Sequence, residues 1–76
     1  SRPYLSAKFS REAGISLTDF ILKQKTEEAK RLLRCSDKSA AAISSYLGFS
    51  SQSHFSRVFR KYSGKTPAGY RDKYQR

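Results

Sequence analysis

Apolar residues recur along this chain at helical spacing, between serines or threonines that begin helices and glycines that end them. The longest such stretch begins at Ser16, where Asp19 stands three residues later as in a capping box. We expect this helix to span about five turns and to end near Arg34. Its apolar side consists of Leu17, Phe20, Ile21, Ala29, Leu32 and Leu33. No sustained period-two alternation and no Asn-Gly or Asp-Gly turn indicates a strand, so the sequence predicts an all-α fold.

Four shorter helices follow the same rules. Their predicted extents are 3–13, 39–47, 50–62 and 66–76. Gly14 and Gly48 stand where glycine ends a helix, because a left-handed residue after the last turn satisfies free carbonyl groups. Ser50 is the predicted N-cap of the third of these helices, and Thr66 followed by Pro67 begins the last.

The two helices on either side of Gly48 follow the helix-turn-helix plan, in which the second helix is presented outward. If Phe55, Phe59 and Tyr62 face the core, the helical period exposes polar residues on the other side of this second helix. They are Gln52, Ser53, Ser56, Arg57 and Arg60. Glutamine pairs with an adenine edge, arginine with guanine, and serine with either base or with phosphate. The pattern therefore predicts a helix that reads DNA.

The charge of the chain supports the same interpretation. Sixteen Lys and Arg residues against six Asp and Glu residues give a formal net charge of +10. No acidic residue lies between Asp37 and Asp72, and the basic residues in that interval are Lys38, Arg57, Arg60, Lys61, Lys65 and Arg71. A polyanion is the natural partner of such a surface. We expect Arg60, Lys61 and Lys65 to contact DNA phosphates, with a solvated charged surface as the alternative.

The same sequence argues against several other classes of protein. A chain of 76 residues makes one domain at most and is too short to enclose a deep catalytic cleft. There is no nucleophile-elbow pattern, and His54 has no acidic partner nearby in sequence, so we expect no enzyme. Because a zinc site needs four ligands, Cys35 and His54 cannot complete one, and we expect neither metal nor cofactor.

Cysteine usage and hydropathy point to a cytoplasmic location. The single Cys35 excludes an internal disulfide, and no apolar run reaches the roughly 20 residues of a membrane span. No signal peptide is visible either. Because the first residue is Ser1 rather than methionine, we expect this sequence to be a piece of a longer protein.

A run of residues downstream of Ile43 carries the closest resemblance to a known family. The run comprises Ile43-x-x-x-Leu47-Gly48-Phe49-Ser50, then Phe55-Ser56-Arg57-x-Phe59-Arg60-Lys61, then Gly64-x-Thr66-Pro67-x-x-Tyr70-Arg71. The upstream matches are Tyr4-Leu5-Ser6-x-x-Phe9, Gly14-x-Ser16 and Ala29-x-x-Leu32-Leu33. Together they make essentially the whole chain resemble the C-terminal DNA-binding domain of AraC/XylS family bacterial transcription regulators.

This resemblance implies two helix-turn-helix units joined by one long helix. Residues 38–76 would form the complete, homeodomain-like second unit, and residues 16–34 would form the linking helix. Residues 1–14 would be the recognition-helix remnant of a first unit that is truncated at its N-terminal end. The helix over residues 51–62 would then lie in the major groove.

The resemblance also implies which side chains contact DNA. In the second unit the base-reading positions would be Gln52, Ser53, His54, Ser56 and Arg57, and in the first they would be Arg2, Pro3, Ser6 and Ala7. We place Ser51 at a phosphate, together with Arg60, Lys61 and Lys65.

Some positions depart from the family's usual residues. Ala7 stands where arginine is common, and Lys25-Thr26 replaces a usual Arg-Ile, which removes an apolar contact and a planar ion-pair partner. Ala42 and Ser44 replace a usual Glu and Ala, and a small residue at 44 still permits close helix packing.

The expected function is sequence-specific binding to a promoter or operator by a bacterial regulator, with the resemblance leaning to an activator. The parent protein would carry an N-terminal effector or dimerisation domain, would be associated with the nucleoid and would include RNA polymerase among its candidate partners. A protein-interaction module that binds an acidic partner is the alternative, and salt dependence with competition separates the two. The five tyrosines are expected in the core or at its rim rather than as stacking platforms for single strands.

Overall fold

The fold is described from a computed structural model, which covers residue 14 and residues 16–75. This part of the chain contains the helices α1 (Leu17–Cys35), α2 (Ala40–Tyr46), α3 (Gln52–Ser63) and α4 (Pro67–Tyr74), and no strand. The all-α prediction is confirmed. The helix predicted over residues 3–13 lies outside the described residues, and the division of the chain into two units stays a prediction.

Each of these helices begins at a serine or threonine whose side-chain oxygen accepts an amide N–H three residues further on. The capping residues are Ser16, Ser39, Ser51 and Thr66, with donor-to-acceptor distances between 3.0 and 3.1 Å. Such a bond satisfies one of the amide groups that lack a partner in the first turn. Ser16 and Thr66 are the caps predicted, Ser39 was predicted as the first residue of its helix rather than as its cap, and the prediction that Ser50 caps α3 is wrong by one residue.

The turn between α2 and α3 explains that difference. Gly48 has φ of 82°, and its N–H donates to the Ser45 carbonyl at 3.1 Å while the Phe49 N–H donates to the Ser44 carbonyl at 3.0 Å. These two bonds form a Schellman motif, which turns the chain sharply after α2. The buried Ser44 hydroxyl then donates to the Ser51 carbonyl at 3.2 Å. Ser51 is thereby held against α2, and α3 begins directly after it.

The core brings together side chains from all four helices of the described part. Its buried members are Ala29, Leu32 and Leu33 of α1, Ile43 of α2, Phe55 and Phe59 of α3, and Tyr70 of α4. The rings of Phe55 and Phe59 lie 5.8 Å apart, and those of Phe59 and Tyr70 lie 5.5 Å apart. Tilted and edge-to-face pairs of this kind stabilise beyond the area they bury. The aromatic row therefore fixes α3 between α1 and α4.

Only the second half of α1 contributes to this core. Phe20 and Ile21, predicted on the buried side, are 37% and 44% exposed. Thr26 is 1% exposed, and its hydroxyl donates to the Leu22 carbonyl at 2.9 Å. This position is therefore packed although it carries a hydroxyl, because the hydroxyl is satisfied within its own helix.

The end of α1 is held by side chains of α4 and of the residue that follows it. The Arg71 guanidinium donates to the Leu33 carbonyl at 3.2 Å and to the Ser36 carbonyl at 3.1 Å. The Gln75 amide donates to the same Ser36 carbonyl at 2.9 Å. A cation is favourable at this end of a helix, where carbonyl groups lack partners. Arg71, one of the basic residues in the acid-free interval, thus has a structural role.

A hydrogen bond between Tyr62 and Asp19 joins the C-terminal part of α3 to the first turn of α1. The Tyr62 hydroxyl donates to the Asp19 carboxylate at 3.0 Å. This bond, together with the contact to Ser16, holds the pKa of Asp19 below its usual range. Burial, reinforced by the bond to Asp19, raises the pKa of Tyr62 above its usual range.

We expect Tyr62→Phe to lower stability most at neutral pH. The contribution of Asp19 is fully present above its ordinary pKa of 3.8 and is lost as the pH falls through its lower pKa in the fold. The contribution of Tyr62 is present below its ordinary pKa of 10.0 and is lost as the pH rises through its raised pKa. Urea midpoints of wild type and variant should therefore converge in acid. Tyr46→Phe is the control, and a Tyr62→Phe deficit that persists unchanged at about pH 3 would contradict this account.

Candidate nucleic-acid interface

Helix α3 turns a polar, cationic face away from the core. Phe55, Val58 and Phe59 are buried on its inner side. On its outer side Gln52, Ser53, Arg57, Arg60 and Lys61 are exposed, and no residue of α3 is acidic. We call these five outward residues the α3 face. The prediction that this side of the helix is exposed is confirmed for all of the residues named there except Ser56, which is half-buried.

The remaining predicted base readers of the second unit lie on the flanks of α3. His54 is half-buried, and its ring meets that of Phe49 edge to face with centroids 5.3 Å apart. Its Nδ1 atom lies 3.4 Å from the Ser50 hydroxyl. Because these contacts come from the turn before α3, the turn sets the direction of the imidazole. Sequence reasoning missed this role of Phe49, although the aromatic residue directly after Gly48 was a usable signal.

The Ser51 hydroxyl caps α3 and is also predicted to contact a phosphate. Its hydroxyl oxygen accepts the His54 amide at 3.0 Å as the N-cap of α3. A hydroxyl carries one proton and two lone pairs, so Ser51 keeps its proton for a phosphate oxygen while it caps the helix. Ser51 therefore stays a predicted phosphate contact.

The cations predicted to contact phosphates lie at the other end of α3. Arg60 and Lys61 stand in its last turn, where positive charge is favourable with respect to the helix dipole. Lys65 follows in the turn to α4, is half-buried, and donates its amide to the Ser63 hydroxyl at 3.2 Å. The α3 face thus has neutral hydrogen-bonding side chains at its start and positive charge towards its end.

Predictions for the first unit fall on a different part of the chain. Arg2 and Ser6, and with them Pro3 and Ala7, lie outside the residues that the structure describes. Their assignment as base readers stays a prediction.

Within residues 14 and 16–75 no group of three or more His, Cys, Asp or Glu residues is placed to hold a metal ion. Cys35 is exposed at the end of α1. No helix in that part of the chain has both the length and the apolar character that a membrane crossing requires.

Comparison with known proteins identifies the family. The model of a family described as a helix-turn-helix domain matches residues 1–73. The Msm operon regulatory protein of Streptococcus mutans is 35% identical over 75 residues, covering 99% of this chain and 27% of its own length. The regulatory protein PocR of Salmonella typhimurium is 40% identical over 68 residues, covering 90% of this chain and 22% of its own.

Solved structures have the same fold. The C-terminal domain of AraT, a response regulator from Geobacillus stearothermophilus, superposes with a TM-score of 0.94 at 32% identity, covering 100% of this chain and 63% of that one. The DNA-binding domain of AdpA, a global transcriptional factor solved in complex with a target DNA, gives 0.89 at 31% identity, with coverage of 97% and 67%.

Fold and sequence together define a DNA-binding helix-turn-helix domain of a transcription regulator. The chain belongs to the AraC/XylS family, as its motifs predict. Its relatives are DNA-binding regulators rather than enzymes, in agreement with the prediction. The chain spans about a quarter of the length of the curated relatives quoted above, at 27% and 22%.

Proposed function

We propose that this domain binds a specific sequence of double-stranded DNA by placing α3 in the major groove. The observation that carries the proposal is the α3 face, on which Gln52, Ser53 and Arg57 are exposed on a helix without a carboxylate. Bidentate pairing of glutamine with adenine and of arginine with guanine suits this groove, where each base pair presents a distinct pattern. The AdpA domain, similar in fold, was solved with a target DNA.

The two ends of α3 contact different parts of the DNA, the bases at its start and the phosphates at its end. Recognition helices contact base edges with their N-terminal residues, which assigns the bases to Gln52, Ser53 and Arg57. Arg60 and Lys61 lie in the last turn, and there they contact phosphates that fix the register of the protein on the duplex. His54 and Ser56, on the flanks, contact the edges of the groove.

The parent protein is a bacterial regulator of transcription, acting as an activator in the cytoplasm. An N-terminal domain in that protein senses an effector or forms the dimer, and RNA polymerase is a partner at the promoter. Residues 1–14 belong to a first unit, whose recognition helix enters the groove about 34 Å from that of α3 on one face of the duplex.

Selection from a pool of random duplexes, at about 50 and 200 mM salt, tests this function. We expect enrichment of one motif at both concentrations, with overall affinity falling steeply as salt rises. Salt-sensitive binding without enrichment would contradict sequence-specific readout by α3. No binding at the lower salt concentration would contradict DNA binding itself and favour an acidic protein partner.

A further inference from the structure

The side chain of Lys25 of α1 lies at the turn between α2 and α3. Its ammonium nitrogen is 5.2 Å from the centroid of the Phe49 ring. A Cβ atom built on Gly48 would stand 3.8 Å from the same nitrogen. Since Phe49 also contacts His54, the ammonium lies beside the first turn of α3.

The ammonium of Lys25 has no anionic partner in the described part of the chain. The ion pairs found there are Glu27 with Lys30 and Glu28 with Arg31, all on α1. Lys25 itself is half-buried, and its ammonium lies over the Phe49 ring without a carboxylate partner. An ammonium held beside a ring is partly ordered before binding, so less conformational entropy is lost when it binds an external anion.

The contact with Phe49 places Lys25 next to one flank of α3, the side that contains His54 and Lys61. His54 and Lys61 are seven residues apart, about two turns, and so lie on the same side of α3. The Lys61 ammonium lies 5.3 Å from the centroid of the Tyr62 ring, and the Tyr62 hydroxyl donates to Asp19 of α1, so this side is adjacent to α1. Lys25 extends the flank at the N-terminal end, where Phe49 joins it to His54.

A helix in the major groove must meet phosphates along its flanks. The groove is about 12 Å wide, and a helix with its side chains is about 10–12 Å across. The rows of phosphates that wall the groove therefore pass close to both sides of the helix. On the side of α3 that contains His54 and Lys61, the Lys25 ammonium lies beside the start of the helix.

We propose that Lys25 binds a DNA phosphate, so that the linking helix contributes directly to DNA binding by α3. The inference rests on the proposed function. Binding of this kind is independent of sequence and sets the position of α3 along the groove, because phosphate contacts fix register. The Phe49 ring holds the ammonium beside the residues that read bases.

The salt dependence of DNA binding tests the proposal in the whole 76-residue chain. A fluorescein-labelled random-sequence duplex is titrated with wild type, Lys25→Gln and Lys25→Met between about 50 and 200 mM salt. Loss of one phosphate contact should reduce the slope of log affinity against log salt by about 0.9. The affinity advantage of wild type should accordingly shrink about 3.5-fold over this range.

Two control variants separate a phosphate contact from a change in net charge. Lys23→Gln removes an exposed charge two residues earlier on α1 and should leave the slope unchanged. Lys25→Arg keeps the charge and should retain the wild-type slope. Thermal unfolding of each variant verifies the fold, and Lys25→Met preserves an apolar stem over Phe49 if the glutamine variant does not fold.

The outcomes also distinguish this inference from the proposed function. Unchanged slopes in both charge-removing variants, with or without a uniform loss of affinity, would overturn the phosphate contact and leave Lys25 a support for Phe49. A wild-type chain that shows no salt-dependent binding would overturn the proposed function, and the inference with it. A slope reduced by Lys25→Gln and Lys25→Met, but not by Lys23→Gln, supports both.

Discussion

Replacing Phe59 with alanine should abolish cooperative folding of this domain. Phe59 is 0% exposed and its ring contacts those of Phe55 and Tyr70, so the substitution empties the centre of the core. Removing a buried phenylalanine in this way costs about 3–5 kcal/mol. A core of this size rarely supplies more than about 3–5 kcal/mol of net stability. Thermal and urea unfolding followed by far-UV circular dichroism should therefore show no sigmoidal transition.

Tyr46→Ala is the matched control for this loss of an aromatic ring. Tyr46 is 66% exposed on α2, and the Lys38 ammonium lies 5.9 Å from the centroid of its ring. Surface substitutions of this kind change stability by within about 0.5 kcal/mol. A Phe59→Ala chain that unfolds cooperatively near the wild-type midpoint would mean that α3 is held by something other than the aromatic row.

Helix starts were predictable wherever one capping residue stands alone. Ser16 and Thr66 were identified because each is the one good cap directly before a stretch of helical periodicity. Ser50 and Ser51 are chemically equal as caps, and the choice between them depends on contacts distant in sequence. The Ser44 hydroxyl and the turn at Gly48 make that choice, and neither is visible in a helical pattern.

Ion pairs on α1 show a similar limit. Glu27 and Arg31 are four residues apart with the acid first, a spacing that favours an ion pair on a helix, whereas the structure pairs Glu27 with Lys30 and Glu28 with Arg31. Two adjacent acids and two adjacent bases allow either arrangement, and at exposed positions their free energies differ little. Spacing alone therefore leaves the choice of partner open.

Periodicity identified the buried half of α1 better than the exposed half. Ala29, Leu32 and Leu33 pack against the other helices, but Phe20 and Ile21 do not belong to the core cluster. A helical pattern identifies residues that share a side, and it contains no information about where along that side another helix lies. The tyrosines were expected in the core or at its rim. This prediction is confirmed for Tyr70, which is buried, and is wrong for Tyr46, which is 66% exposed.

The α3 face followed from sequence because an amphipathic helix fixes its outer side once its inner side is known. The place of Lys25 beside the flank of α3 that contains His54 and Lys61 did not follow from sequence. The contact between Lys25 and Phe49 joins residues 24 positions apart in the chain. Residues 25 and 26 depart from the family pattern, but that departure does not indicate which side chains surround them. A surface that combines residues of two helices can be identified only once the packing of those helices is known.

Arg57→Ala and Arg60→Ala should weaken DNA binding in different ways, although both remove an exposed arginine from the α3 face. Arg57 lies in the half of α3 that contacts base edges, so its loss should lower affinity for the selected sequence about 5- to 150-fold and relax preference at one base pair. Random duplex should be bound nearly as before. Arg60, in the last turn, should instead lower affinity for both duplexes equally and reduce the salt slope by about 0.9.

Fluorescence titrations of the selected and the random duplex at several salt concentrations measure both effects with the same variants. Because each arginine is exposed, neither change should alter the unfolding midpoint by more than a surface substitution does. Equal losses on both duplexes for Arg57→Ala would make it a phosphate contact and move base reading to Gln52 and Ser53. A loss confined to the selected duplex for Arg60→Ala would place the last turn of α3 deep in the groove, and the helix would then lie along the groove floor rather than entering it by its N-terminal end.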